Sequence, residues 1–167
     1  MILKNNKMIA KTFNRERFMR CWVAVGLAIF LSAGTVVAAD YVTDGAEIVK
    51  ASDWKNVESI TIDLGEHHIE PARIRLSAFK TYRIVLRNIG KKFHNFSAPE
   101  LFRALAWRKL SFGNQAEVKV DYINSLDLPR GTQVELYVVP VASGKYSIAC
   151  TVDDHRDLGM EGTVTIE

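Results

Sequence analysis

Near the end of this 167-residue chain, Cys150-Thr151-Val152-Asp153-Asp154-His155-Arg156-Asp157-Leu158-Gly159-Met160 places a thiol, an imidazole and a thioether at the spacing Cys-x4-His-x4-Met. Strand-like sequence flanks it: Gly144-Lys145-Tyr146-Ser147-Ile148-Ala149 before, Gly162-Thr163-Val164-Thr165-Ile166 after. A hairpin loop between two such strands brings three donor atoms to one end of a sheet. A further imidazole stands upstream, in Asn88-Ile89-Gly90-Lys91-Lys92-Phe93-His94-Asn95-Phe96. His94, Cys150, His155 and Met160 together supply one thiolate, two imidazoles and a weak thioether, the donor set of a type 1 copper site. The thiolate is soft and donates strongly, the imidazoles satisfy both oxidation states, and a distant thioether leaves the geometry between what each state prefers.

The rest of the sequence reads as strands. Ile60, Ile62 and Leu64 alternate with polar residues, as do Ile74 and Leu76, Tyr82, Ile84 and Leu86, Val118, Val120 and Tyr122, and Val134, Leu136 and Val138. Period two with one apolar face predicts half-buried antiparallel strands. Breaks at Gly65, Pro71, Gly90, Pro129-Arg130-Gly131, Pro140 and Ser143-Gly144 separate them. Several short strands with turns between them indicate an all-β sandwich. One segment differs. Ser97-Ala98-Pro99-Glu100 combines a capping box with an early helical proline, and predicts a short helix running to about Leu110. Residues 40–56 carry no strong pattern and read as a peripheral arm.

These motifs resemble the cupredoxin family. Asn-x-Gly-x3-His-Asn-Phe, Gly-x-Tyr-x3-Cys and the closing loop through His155 and Gly159-Met160 occur in the family's order, over residues 57–167. The loop spacing is similar to that of rusticyanin and auracyanin. The resemblance implies a Greek-key β-sandwich with one short inserted helix, and one type 1 copper held by His94, Cys150, His155 and Met160. It also implies that Asn95 ties the His94 turn to the cysteine turn by hydrogen bonds, the kind of outer contact that orients ligands. Where many members carry Pro-Gly before the loop histidine, this chain has Asp153-Asp154. That departure bears on the loop's rigidity and the site's potential, not on the ligands.

Residues 1–39 read as an export signal. Six basic residues from Lys4 to Arg20, the apolar run at 22–31 and Val37-Ala38-Ala39 fit its three regions. The alternative is an uncleaved anchor, since residues 21–39 approach the length of a membrane span. Without residues 1–39 the net charge falls from +3 to −2, so the basic character is the leader's. Nothing in the remainder suggests a nucleic-acid partner. The leader also holds Cys21, which leaves Cys150 alone in an oxidising compartment, where a metal would hold it as thiolate and block disulfide exchange.

The expectation is therefore a periplasmic, monomeric, one-electron carrier, residues 40–167, that transforms no substrate and meets redox partner proteins such as a cytochrome or an oxidase. No membrane is involved once the leader is cut. His155 is expected to present an edge at the surface as the electron port, inside an apolar collar of Phe96, Pro99, Leu101 and Leu158. A copper-handling protein on the same fold (chaperone, buffer or resistance factor) is the rival. His67 and His68, adjacent in a strand, point to opposite faces and read as exposed. A dinuclear copper centre would need a second cysteine in the loop. Zinc would want a tighter fourth ligand than methionine.

Overall fold

Eleven strands form two sheets in the computed structural model, which describes residues 42–167. The export signal read at residues 1–39 lies outside the described residues. The first sheet runs in the order β2 (His68–Glu70), β1 (Glu58–Gly65), β4 (Tyr82–Asn88), β9 (Gln133–Pro140), β6 (Leu105–Ser111) and β7 (Glu117–Val118). The second runs β3 (Arg73–Leu76), β11 (Glu161–Ile166), β10 (Gly144–Ala149), β5 (His94–Ser97) and β8 (Ser125–Leu128). Apolar positions from both sheets meet between them: Ile62, Leu64, Tyr82, Leu86 and Leu136 from the first, Phe96, Leu128, Ile148, Val164 and Ile166 from the second, each at most 2% exposed. The alternation read in β1, β3, β4 and β9 is what fills this layer.

Pairing departs from the all-antiparallel expectation in two places. β1 lies parallel to β4, with Ile60 opposite Ile84, and β3 lies parallel to β11, with Ile74 opposite Val164. Side-chain alternation is the same in either direction, so sequence pattern does not report it. Of the run at 117–122 only Glu117–Val118 pairs.

The expected helix is shorter than its pattern. It spans Pro99–Arg103 as α2, entered from Ala98 without a side-chain cap, and ends where Ala104 N donates to Leu101 O. Ser97 belongs to β5 instead of capping the helix. Beyond Ala104, where the pattern predicts helix to about Leu110, the chain instead pairs along β9, with Leu105 opposite Pro140 and Leu110 opposite Leu136. Helix propensity there is a weak prior that the pairing overrides. A register shift between Trp107 and Lys109 sets Arg108 outside the ladder, where its guanidinium lies 4.5 Å from the Trp54 ring centroid. A second helix, α1 (Gly45–Ala51), falls in the segment read as a patternless arm. Behind it Trp54 Nε1 donates to Val49 O at 2.7 Å, and Thr81 Oγ1 donates to Asp53 O at 2.8 Å, which fastens this arm to the sandwich. Among the described residues no helix is long and apolar enough to cross a membrane.

Candidate metal centre

Main-chain pairing carries each donor to the same end of the sandwich. β10 and β11 are antiparallel, with Ala149 opposite Glu161, so residues 150–160 form the hairpin loop. Its ends are closed by the backbone: Cys150 N donates to Met160 O at 2.9 Å, and Met160 N donates to His155 O at 3.0 Å. His94 opens β5, which pairs with β8 along its length and meets β10 at Ser97 and Ala149. The turn before it is shaped by Asn88, buried at the end of β4. Its Nδ2 donates to Lys92 O and Leu128 O, each at 2.8 Å, and its Oδ1 accepts from Gly90 N at 2.9 Å.

His94 Nδ1, His155 Nδ1 and Cys150 Sγ converge. The two nitrogens are 3.2 Å apart, and the sulfur lies 3.9 Å from His94 Nδ1 and 3.5 Å from His155 Nδ1. His94 and Cys150 are fully buried and His155 is 2% exposed. Metal bonds of about 2.0 Å to nitrogen and 2.3 Å to sulfur place the donors of a trigonal set roughly 3.5–3.8 Å apart, so the group fits one ion between the three atoms. Two inward-facing imidazole nitrogens also have little else to do here, since at most one proton fits between them. Burial, reinforced by the neighbouring His155, pushes the His94 pKa down, which favours the neutral ring that a metal requires. Met160 is fully buried at the loop's end, held by its backbone to both Cys150 and His155.

Asn95 joins the two ligand turns. Its backbone N donates to Cys150 Sγ at 3.4 Å, its Nδ2 to Thr151 Oγ1 at 2.9 Å, and its Oδ1 accepts from Thr151 N at 2.7 Å. The sulfur thus receives a main-chain N–H from the residue next to His94.

Three surface expectations change. His155 has almost no exposed edge, because the His67 ring stands against it. His67 is accordingly part-buried, not an exposed strand end: it occupies the tight turn between β1 and β2 with φ 61°, and its Nδ1 is buried without a partner. His68 is exposed. Phe96 and Leu101 belong to the core at 1% and 2% exposure and form no collar. The exposed apolar side chains adjoining the site in sequence are Ile89, Phe93 and Leu158. Glu66 has a role that spacing in the sequence does not show: its carboxylate accepts Lys91 N at 2.6 Å and Lys92 N at 3.0 Å in the turn before His94. No single-residue signal marks Glu66 or His67, because each acts through a turn contact between distant segments.

No family model matches the chain, and no curated protein sequence matches it. Solved structures do. The fold is similar to that of a copper-containing nitrite reductase from Thermus scotoductus (13% identity, TM-score 0.53, covering 77% of this chain and 34% of that one). It is also similar to a copper nitrite reductase from Nitrosomonas europaea (10% identity, TM-score 0.52, covering 66% and 49%). An auracyanin from the photosynthetic bacterium Roseiflexus castenholzii aligns over 65% of this chain and 96% of its own length, at 17% identity and TM-score 0.46. The chain spans less than half of either nitrite reductase. Residues 42–167 therefore have the cupredoxin fold. The buried His94–Cys150–His155 group matches a type 1 copper site and fits a single ion of that kind.

Proposed function

We propose that this protein is an exported electron carrier in which His94, Cys150 and His155 would hold one copper and Met160 would add a weak thioether donor. A copper bound there would supply exchange of one electron between a donor and an acceptor protein, with no substrate transformed. The chain's part is to keep the donor set still. The loop closure at Cys150 and Met160, the Asn95–Thr151 bridges and the Asn88 turn fix three ligand segments through bonds that need no metal. A site that does not rearrange suits repeated exchange of one electron.

The observation that carries this reading is the convergence of one sulfur and two ring nitrogens within 3.9 Å, sealed in the core. The same burial speaks against the copper-handling alternative: donors at 0–2% exposure cannot pass an ion to another protein unless the loop opens. Export to the periplasm, with removal of residues 1–39, follows from the basic and apolar leader pattern and is part of the proposal, as are the monomeric state and the redox partner proteins. The test is spectroscopic. Protein given Cu(II) is expected to turn blue or green by thiolate-to-copper charge transfer, and Cys150→Ser is expected to abolish the colour, because an alcohol is a poor soft donor. Colourless, copper-free wild-type protein overturns the reading.

A further inference from the structure

The outer nitrogen of His94 has no hydrogen-bond partner, although it is completely buried. With Nδ1 turned toward the other donors, the ring's proton belongs on Nε2. A buried N–H without an acceptor is costly, so what faces it matters. Glu66 Oε1 lies 4.0 Å from Nε2. No side chain intervenes, because the residue between them is Gly90. A Cβ placed there would stand 2.7 Å from Glu66 Oε2 and 2.8 Å from His94 Nε2, closer than real Cβ contacts allow. The carboxylate is also fixed. It accepts both Lys91 N and Lys92 N, and these bonds, Lys91's foremost, hold its pKa below the ordinary range. A hairpin turn of β1–β2 and the turn that delivers His94 are thereby locked to each other through one anion.

From these contacts we infer that Glu66 is a positioning residue for the copper site: its carboxylate faces His94 Nε2–H, sets the tautomer that turns Nδ1 inward, and strengthens that ring as a donor to the oxidised ion. The inference rests on the copper reading above. The physical reason is general. A negative charge beyond a ligating imidazole raises the ring's basicity and holds its orientation, and a better nitrogen donor favours Cu(II) over Cu(I). At 4.0 Å the interaction is one of charge with the N–H dipole and not a direct hydrogen bond. Removing the charge should therefore shift the potential while leaving the ligands in place. Gly90 is required for the same reason, since any side chain there would separate carboxylate from ring.

Glu66→Gln in the full chain separates this role from a structural one. The amide oxygen can still accept the two backbone N–H groups, so the turn is preserved while the charge is lost. The expected result is a folded, coloured protein whose preference for Cu(II) over Cu(I) falls several-fold, each tenfold being 59 mV for one electron. A coloured variant with the wild-type potential overturns the inference and leaves the copper reading standing; a colourless wild type sinks the copper reading instead. A second measurement needs neither variant nor metal. Ring-nitrogen NMR of the metal-free wild type is expected to show His94 as the Nε2–H tautomer, and an Nδ1–H tautomer overturns the inference.

Discussion

The imidazole of His67 stands edge-on to that of His155, with centroids 5.3 Å apart and planes at 88°. The loop histidine is 2% exposed, and His67, part-buried on a tight turn, is one of the rings packed on it. Its backbone is left-handed at φ 61°, a conformation that costs a non-glycine residue about 1 kcal/mol or more. Gly159 lies beside the same turn: its φ of 103° favours glycine, and a Cβ there would make an ordinary contact with His67 O at 3.6 Å.

His67→Gly follows from this as a test of access. Glycine relieves the left-handed strain, while the lost edge-on ring contact is worth roughly 0.5–1.5 kcal/mol. The two terms are similar and opposite, so the thermal midpoint should move little. Access should change much more. With His155 uncovered, small hydrophilic reductants are expected to reduce the copper-loaded protein at least several-fold faster than wild type in stopped-flow measurements. An unchanged rate would mean that electrons do not pass through this face.

Met160 sets up a conflict between site and core. Met160→Gln exchanges a soft thioether for a harder amide oxygen, which favours Cu(II), so the reduction potential is expected to fall with copper retained. The same change buries an amide at a position with no exposure, at a cost of about 1–3 kcal/mol unless a partner is found. The metal-free variant should therefore unfold at lower denaturant than wild type, and copper should recover part of the difference by binding only the folded state. A variant with wild-type potential and spectrum would place the sulfur outside the site.

What was readable in the sequence divides along the range of the interactions. Strands with one wet face, such as β1 and β9, show their period directly, and so does the Cys150–His155–Met160 loop, because its donors are close in the chain. β6 was hidden because Ala104, Leu105 and Lys109 also suit a helix. Only its pairing with β9, some thirty positions away, decides the matter. The covering of His155 by His67 and the facing of His94 by Glu66 join segments that sequence spacing cannot relate. α1 escaped because a seven-residue helix with no buried residue leaves little periodicity to read.

The acidic loop offers a test of how a partner is met. Asp153, Asp154 and Asp157 are all exposed. Arg156 pairs with Glu161, its Nε 3.3 Å from Oε2, and among the described residues no ion pair joins it to these aspartates. Exposed charges are screened beyond a Debye length of about 8–10 Å at ordinary salt. Their effect on the buried copper should thus be modest, and their effect on an approaching protein larger, since encounter is governed by surface charge. Asp153→Asn with Asp154→Asn removes two charges without disturbing the backbone: Asp153 sits at φ 46°, where asparagine is among the better-tolerated residues. The expected outcome is a potential raised by less than about 59 mV, a factor of ten for one electron. A clear flattening of the salt dependence of electron transfer to a positively charged partner should accompany it. If the salt dependence keeps its wild-type slope, steering comes from elsewhere on the surface, and the exposed apolar side chains Ile89, Phe93 and Leu158 become the residues to change next.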